Sequence, residues 1–317
     1  MRIAFVGKGG SGKTTLASLT AKYIAEQNLP ALVIDADINQ HLAHTLGMPK
    51  EEASKLPPLG IEINRVKEYL RGTNPLIRSN AAMIKTTPPG RGSRLIRFNE
   101  KNPIFDYFEK NVGGIRVMAV GEFTEEDLGI KCYHSKVGAV ELLLNHLIDR
   151  EREYLLVDMT AGADSFASGM FTKFDLTLLI VEPTLKSVSV YKQYKNYAKD
   201  YGVNVKIIGN KIEDESDLDF IQKEIGNDLI AVVKRSGYIR ALEKGNRLPI
   251  TELENENRDA LGLIVSEIDR CSKDWQKFYQ HAVHFHIKNA KSWANAVVGE
   301  DVSIQVDPSF NIKEVLA

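Results

Sequence analysis

The amino-acid sequence predicts a doubly wound α/β fold, in which a mostly parallel sheet carries helices on both faces. Short runs of apolar and β-branched residues alternate along the chain with segments of helical spacing. These runs are continuously apolar, which is typical of strands buried on both faces of a parallel sheet. Acidic and glycine-rich clusters follow several of the runs, and doubly wound sheets bind ligands at the carboxyl ends of their strands. We therefore expect a ligand site at that edge of the sheet.

The predicted elements follow one another in a regular order. The predicted strands are 2–6, 31–34, 115–120, 154–157, 176–181 and 205–208, and the predicted helices include 13–27, 137–147 and 187–201. We assign residues 1–270 to one domain and residues 271–317 to a helical C-terminal extension with an irregular tail. Within the domain, residues 49–111 are rich in proline, arginine and asparagine, which predicts an elaborated, partly mobile surface segment.

The composition is that of a globular protein, since 43% of its 317 residues are apolar and 26% are charged. A formal net charge of −1 excludes a global field that attracts nucleic acid or anionic lipid, so such binding requires a local patch. Two cysteines are too few for a disulfide scaffold and fit a reducing compartment. No signal-peptide pattern is evident, and no apolar run approaches the roughly 20 residues of a membrane-spanning helix. We expect a soluble, cytoplasmic protein.

A glycine-rich loop between the first predicted strand and helix fits the pattern G-x-x-x-x-G-K-[ST]. It reads Gly7-Lys8-Gly9-Gly10-Ser11-Gly12-Lys13-Thr14. The glycines allow backbone N–H groups to converge on phosphate oxygens, and the following helix N-terminus adds favourable partial charge. We expect Lys13 to reach the β- and γ-phosphates and Thr14 to complete Mg²⁺ coordination. The predicted ligands are ATP and Mg²⁺, and the predicted phosphate-binding residues are Gly9, Gly10, Ser11, Gly12, Lys13, Thr14 and Thr15.

The loop carries a second lysine, Lys8, which is not needed to wrap one nucleotide. With it, the run 8–14 resembles the signature K-G-G-x-G-K-[ST] of the deviant Walker A family, which contains the MinD and ParA ATPases, the nitrogenase iron protein and the nickel-insertion ATPase CooC. The resemblance implies a P-loop ATPase that forms a nucleotide-dependent homodimer. It also implies that Lys8 reaches the phosphates of the facing subunit, like an arginine finger supplied in trans. The alternative is a solvated loop lysine.

Two predicted strands end in aspartates at the same edge as this loop. The resemblance assigns Asp37 to orienting the attacking water, while Asp35 is either a supporting residue or the cap of the following turn. The run 155–162 resembles the family's second switch. This implies that Asp158 holds Mg²⁺ through water and that the N–H group of Gly162 senses the γ-phosphate. For Asp158 the structural alternative is an N-cap of the next helix.

Asn210 follows another predicted strand, in the run Ile208-Gly209-Asn210-Lys211. Its amide offers both a donor and an acceptor, which matches the edge of adenine. In the resembling proteins an asparagine at this place recognises the base. A turn-forming role is the alternative, because asparagine also favours turns.

Within the family, the sequence looks like the CooC branch, whose members carry a C-x-C pair before the helix predicted at 137–147. That pair binds metal across the dimer, and this chain has Cys132 and His134 there instead. A two-fold axis would bring together two thiolates and two imidazoles, a set suited to Zn²⁺ or Ni²⁺. A buried cysteine and a helix-start histidine are the alternative. The resemblance thus implies a switch that assists metal insertion into a client metalloenzyme.

Two further features keep open a second class, in which the ATPase cycle controls attachment to a membrane or to DNA. A basic amphipathic helix carries the apolar residues Trp275, Phe278, Ala282 and Phe285. It suits an anionic membrane, or its apolar stripe docks on the core or on a partner. A local basic patch suits DNA or is a solvated loop, and it comprises Lys85, Arg91, Arg94 and Arg97. A third class is a nucleotide-gated regulator that binds a partner protein and turns over little.

Overall fold

An eight-stranded sheet forms the centre of the protein, which we describe from a computed structural model over residues 1–122, 133–159, 166 and 169–316, with backbone only at 133–135. The strands are β1 (Arg2–Gly7), β2 (Ala31–Ala36), β3 (Ile96–Arg97), β4 (Lys110–Val112), β5 (Ile115–Ala119), β6 (Leu147–Ile148), β7 (Tyr154–Met159), β8 (Leu176–Val181), β9 (Val205–Ile212) and β10 (Leu229–Lys234). The order in the large sheet is β10-β9-β8-β1-β7-β2-β5-β4, and β3 and β6 form a separate pair. Neighbouring strands of the large sheet are parallel except for β4 and β5.

Helices cover both faces of the sheet. They are α1 (Lys13–Glu26), α2 (Leu42–Leu46), α3 (Lys50–Ala53), α4 (Ile63–Arg71), α5 (Pro103–Phe108), α6 (Tyr133–His146), α7 (Leu185–Ala198), α8 (Glu215–Ile225), α9 (Gly237–Glu243), α10 (Asn255–Asp269), α11 (Trp275–Asn289), α12 (Asn295–Val298) and α13 (Ile312–Leu316). Buried side chains of α1, α9 and α10 belong to one apolar cluster, and those of α4, α6, α7 and α8 belong to another.

The two clusters lie on opposite faces because the strands are apolar at consecutive positions. In β1, Ala4 and Val6 join one cluster, whereas Ile3 and Phe5 join the other. Side chains alternate between the faces of a strand, so a continuously apolar strand supplies both layers. The predicted doubly wound α/β fold with a mostly parallel sheet is confirmed.

Residues 49–111, which we expected to form an elaborated surface segment, also bury a part of their side chains. Leu70, Phe98 and Phe108 are fully buried in the apolar layer that includes α6. The turn-like run 86–92 begins with Thr86 and Thr87, which are also fully buried. Proline and glycine mark turns in a sequence, but they do not show that a distant part of the chain covers the turn.

That cover is the C-terminal extension. Gln305 donates to the Ala82 carbonyl over 2.8 Å and accepts from the Thr87 hydroxyl over 2.9 Å. On α11, Ala282 and Phe285 are buried against the domain. The apolar stripe of this helix is therefore docked at least in part within the chain, which is one of the roles that the sequence left open. Within the described ranges, each helix is too short or too polar to cross a bilayer.

Candidate functional site

The glycine-rich loop connects β1 to α1 at the carboxyl edge of the sheet. Its backbone enters the left-handed region at Gly10 (φ 81°) and Gly12 (φ 97°), which glycine adopts without steric cost. A Cβ atom on Gly12 would lie 2.3 Å from Nδ2 of Asn210, so a larger residue would collide with that amide. The loop is closed by a hydrogen bond from the Ser11 N–H group to the Lys8 carbonyl, at 3.0 Å. This path leaves Gly9 and Gly10 exposed to solvent.

Lys13 and Asp37 form a buried ion pair across the site. Lys13 is the first residue of α1, and Asp37 follows the last residue of β2. The distance from Nζ of Lys13 to Oδ2 of Asp37 is 2.7 Å, and each side chain is 9% exposed. The other carboxylate oxygen accepts from the backbone and side-chain N–H groups of Asn39, both at 3.1 Å. Asp37 is thus held at the edge of the loop by opposite charge and by its own turn.

Thr14 and Asp158 form a second contact beside this ion pair. The Thr14 hydroxyl donates to Oδ2 of Asp158, whereas Oδ1 of Asp158 is buried without a hydrogen-bond partner among the described residues. Burial raises the pKa of Asp158 to about 7, although the nearby Lys13 ammonium and the Thr14 hydrogen bond oppose that shift. A buried carboxylate with an open oxygen beside a hydroxyl is an oxygen-donor set that a hard cation would complete.

Asp35 has a structural role in the described residues. It pairs in register with Asp158 on the adjacent strand and is buried. Burial, reinforced by the Asp158 charge, raises the pKa of Asp35 well above its ordinary value. Its carboxylate accepts from the N–H groups of Leu42 at 2.8 Å and Asp37 at 3.2 Å. Of the two roles that the sequence left open, these bonds correspond to capping of the turn after β2.

Lys8 contrasts with Lys13. Its side chain is partly exposed, and no hydrogen bond or ion pair joins its ammonium group to the described part of the chain. Two apolar side chains are exposed near the same edge, Ile38 after β2 at 41% and Leu185 at the start of α7 at 73%. Lys8, Ile38 and Leu185 thus form, with the exposed glycines of the loop, a surface that no other described residue covers.

Asn210 lies against the phosphate loop. We predicted that it follows a strand, but β9 continues to Ile212, so Asn210 lies inside the strand. Its Nδ2 atom donates to the Ser11 carbonyl over 2.7 Å, which leaves the side-chain oxygen as an acceptor. Next to it is an open cavity of about 650 Å³, lined among others by Thr15, Ser236 and Arg240. Ser236 caps the start of α9 and Arg240 lies within that helix. Neither was predicted from the sequence, because this part of the chain carries no recognised motif.

Sequence reasoning also gave no role to Lys211 or Glu182, which the structure brings to the same loop. Lys211 Nζ lies 2.6 Å from the Gly10 carbonyl oxygen and 2.7 Å from Oε1 of Glu182. A lysine beside an asparagine at a strand end was the signal available in the sequence.

Other predicted site residues lie outside the described part of the chain. Cys132 and Gly162 fall in the ranges that are left out, and only the backbone of His134 is described, in the first turn of α6. Among the described residues, no group of three or more histidine, cysteine, aspartate or glutamate side chains could hold a metal ion. The predicted interfacial transition-metal site thus stays a prediction.

Two arginines of the predicted basic patch have partners within the chain. Arg91 Nε lies 3.1 Å from Oδ2 of Asp307, and Arg97 donates to the Val315 carbonyl at 2.9 Å. Both partners belong to the C-terminal extension. The patch is therefore in part an internal contact surface.

Comparisons with known proteins agree with this geometry. A family model described as the CobQ/CobB/MinD/ParA nucleotide binding domain matches residues 3–270. The carbon monoxide dehydrogenase accessory protein CooC of Rhodospirillum rubrum is 28% identical over 273 residues, which cover 85% of this chain and 97% of CooC. An uncharacterized ATP-binding protein of Methanocaldococcus jannaschii is 29% identical over 238 residues, covering 74% of this chain and 84% of that protein.

Solved structures share the fold at low identity. MinD from Pyrococcus horikoshii, complexed with Mg-ADP, superimposes with a TM-score of 0.54 and 15% identity, covering 85% of this chain and 96% of MinD. A chain of the MinC:MinD cell division protein complex of Aquifex aeolicus gives a TM-score of 0.53 and 18% identity, covering 86% of this chain and 97% of that one.

Proposed function

The chain belongs to the CobQ/CobB/MinD/ParA family of nucleotide-binding proteins, and from that premise we propose that it is a Mg²⁺-dependent ATPase that works as a nucleotide-gated homodimer. One observation carries the proposal. The phosphate loop, the Lys13–Asp37 ion pair and the Thr14–Asp158 contact lie side by side at one edge of the sheet. This arrangement offers the loop and Lys13 for binding a triphosphate and stabilising charge, and Asp37 for activating water.

The ion pair between Lys13 and Asp37 supplies the first step. Triphosphate oxygens would compete with the Asp37 carboxylate for the Lys13 ammonium group, because both are anionic and Asp37 Oδ2 lies 2.7 Å from Lys13 Nζ. Once Lys13 turns to the phosphates, Asp37 is released to accept a hydrogen bond from the attacking water. Loop N–H groups and Lys13 then stabilise the charge that develops on the transferred phosphoryl group.

Mg²⁺ fits the oxygen donors on the other side of the loop. The Thr14 hydroxyl would ligate the ion directly and Asp158 would hold it through water, which gives the buried Oδ1 atom a partner. When bound, the ion neutralises charge on the β- and γ-phosphates. Thr14 and Asp158 thereby orient the triphosphate, while Asp37 handles the water.

Lys8 is proposed to act on a second copy of the chain. Its ammonium group has no partner among the described residues, and the exposed Ile38 and Leu185 side chains offer apolar contact area at the same edge. Facing subunits would bury these groups and place each Lys8 near the other subunit's triphosphate. Charge neutralisation in trans would then make hydrolysis depend on dimerisation.

The proposed output of the cycle is assistance in metal insertion into a client metalloenzyme. Similarity to a carbon monoxide dehydrogenase accessory protein over 85% of this chain supports this role. Cys132 and His134 of two facing subunits would hold a Zn²⁺ or Ni²⁺ ion that passes to the client. The alternative, attachment to a membrane or DNA, has less support, since the stripe of α11 and two patch arginines are engaged within the chain.

ATP hydrolysis and the oligomeric state of purified protein test the core of the proposal. With Mg²⁺ and ATP, we expect wild type to hydrolyse ATP and to elute as a dimer in size-exclusion chromatography with light scattering. Lys13→Ala should lose nucleotide binding. Lys8→Ala should keep binding but lose the dimer and slow hydrolysis on the order of 10²-fold or more. The exposed Lys313 on α13 provides a control, Lys313→Ala, with unchanged rate. A Lys8→Ala protein that dimerises and hydrolyses ATP normally contradicts the trans role.

The metal role needs a separate measurement. Purified dimer should retain Zn²⁺ or Ni²⁺ after desalting, and Cys132→Ser should lower the metal content per dimer. Cys271→Ser is the matched control, because Cys271 is a free, half-buried cysteine elsewhere in the chain. If Cys132→Ser leaves the metal content unchanged, the interfacial site is rejected while the ATPase proposal stands.

A further inference from the structure

The strand β9 contains an irregularity at the residue that follows Asn210. Asn210 is in register with Val233 of β10, and Ile212 is in register with the next residue, Lys234. Lys211 therefore has no opposite residue, which is the definition of a β-bulge. Its backbone has φ 63°, in the left-handed region that favours glycine. A lysine with that backbone conformation is strained, so its side chain needs an explanation.

The bulge changes where two neighbouring side chains point. In a regular strand, consecutive side chains point to opposite faces of the sheet. Here both reach the phosphate loop, where Asn210 donates to the Ser11 carbonyl over 2.7 Å and Lys211 donates to the Gly10 carbonyl over 2.6 Å. Bulges beside active sites redirect side chains in this way. Two consecutive residues of β9 thus hold two consecutive carbonyl groups of the loop.

Glu182 fixes the Lys211 ammonium group from the other side. It follows the last residue of β8, and its Oε1 atom lies 2.7 Å from Lys211 Nζ. The Glu182 side chain is 18% exposed and that of Lys211 is 40% exposed, so water screens the pair only in part. Strand ends of β8 and β9 therefore orient one donor towards Gly10.

The Lys211 ammonium group contacts the loop at Gly10, where few neighbouring atoms confine the backbone. A Cβ atom placed on Gly9 or Gly10 would meet no atom within 4 Å, whereas one on Gly7 would lie 2.6 Å from the Ser11 hydroxyl. Gly9 and Gly10 are thus not held by close packing at their Cβ positions, although on the proposed function they present N–H groups to phosphate. Ordering a loop at the moment of binding costs affinity.

We propose that Lys211 is a positioning residue that holds the Gly10 carbonyl and so preorganises the phosphate loop, with Glu182 as its support. The inference rests on the proposed ATP binding and adds a residue to it. Lys211 lowers the cost of ordering the loop before the nucleotide arrives. Once phosphates are bound, they hold the loop themselves, so the contribution lies in binding rather than in the chemical step.

Lys211→Gly separates this role from backbone strain, because glycine adopts φ 63° freely and removes the ammonium group. The dissociation constant of a fluorescent ATP analogue should rise about tenfold, as expected for one charge-assisted hydrogen bond. The KM for ATP should rise equally, while kcat changes less than about threefold. Arg152→Gly is the matched control, since exposed Arg152 has φ 62° and also carries one positive charge. Its melting temperature should shift like that of Lys211→Gly, with unchanged affinity.

Glu182→Gln is the second variant, since it leaves the bulge and its backbone unchanged. It should weaken binding in the same direction by roughly threefold, and less than additively with Lys211→Gly. If both variants bind the analogue within twofold of the wild-type affinity, the inference is overturned. The proposed function stands in that case, because the wild-type protein still binds the analogue. A wild-type chain that does not bind the analogue at all overturns the proposed function and this inference with it.

Discussion

The carboxyl edge of the sheet and the C-terminal extension both bury polar side chains. They differ in whether the polar atoms of those side chains have hydrogen-bond partners within the chain. At the sheet edge, one buried oxygen of Asp158 has no partner among the described residues, and the Lys8 ammonium group makes no contact there. In the extension, Gln305 is bonded through both its oxygen and its nitrogen, and His286 Nε2 lies 2.8 Å from the Val302 carbonyl oxygen.

Charged groups show the same difference. Asp149 is fully buried where the extension meets the domain, and it lies 2.7 Å from Arg2 Nε and 2.6 Å from Lys273 Nζ. The positive charges around it hold the pKa of Asp149 well below its ordinary value, although burial acts in the opposite direction. The open oxygen of Asp158 can accept a ligand, whereas the bonded groups of Gln305, His286 and Asp149 hold the extension on the domain. Substitutions at the two places should therefore have different consequences.

Asp37→Asn should give the largest effect and act on catalysis rather than on binding. The proposed role of this carboxylate is to orient the attacking water, so kcat should fall on the order of 10³-fold when it is replaced. Affinity for ATP should stay equal or become tighter, because the phosphates no longer compete with a carboxylate for Lys13. Single-turnover hydrolysis and equilibrium binding measure the two separately. Equal losses in both would contradict the proposed division of roles between Lys13 and Asp37.

Asp149→Asn should act in the opposite way. The change removes the carboxylate that pairs with the buried Arg2 side chain and the N-terminal ammonium group, while Lys273 keeps its second partner, Asp175. This loss should lower the free energy of unfolding by about 3 kcal/mol. Urea denaturation followed by circular dichroism measures this loss. ATP hydrolysis per folded molecule should be unchanged, since the described partners of Asp149 are Met1, Arg2 and Lys273, which lie outside the phosphate loop. A comparable loss of kcat would show that the two regions are coupled.

His146, the last residue of α6, should give the smallest effect and a pH dependence. Burial lowers the pKa of His146 to about 4, and its Nε2 atom has no hydrogen-bond partner among the described residues. The unfolded state takes up the proton at a higher pH, near 6.5, so stability falls as the pH drops from about 6.5 towards 4. From pH 7 to pH 5, this group should cost about 2 kcal/mol.

His146→Asn isolates that contribution, because an amide can donate to the Leu142 carbonyl, which lies 3.0 Å from His146 Nδ1. Urea denaturation at pH 7 and pH 5 should show a smaller drop in stability for the variant than for wild type. Identical drops would mean that the imidazole does not titrate in this window.

The phosphate-site side chains could be placed from the sequence because parallel strands bring their carboxyl ends to one edge. This rule alone predicts that Asp37 and Asp158 lie beside the loop that follows β1, and the structure places them there. Their chemical roles stay predictions, since geometry without a bound nucleotide does not test them. Register, by contrast, has no local signature. The bulge at Lys211 depends on how β9 pairs with β10, so its effect on the loop could not be predicted.

The sequence also did not predict that the C-terminal extension covers residues 86–92. The partners of these residues lie about 200 residues further along the chain, as in the hydrogen bonds between Thr87 and Gln305 and between Arg91 and Asp307. Proline and glycine composition reports the local turn correctly, but burial depends on the distant segment. Composition therefore predicts the conformation of such a segment better than its environment.

The position of β1 has a consequence for how the chain folds. This strand lies at the middle of the sheet between β7 and β8, so Ile3 pairs with Leu156 and with Leu176. Both neighbours lie more than 150 residues away along the chain. Loop closure over such distances must precede the gain from pairing, which makes folding slow. During synthesis, the phosphate loop therefore leaves the ribosome long before the sheet that shapes it can form.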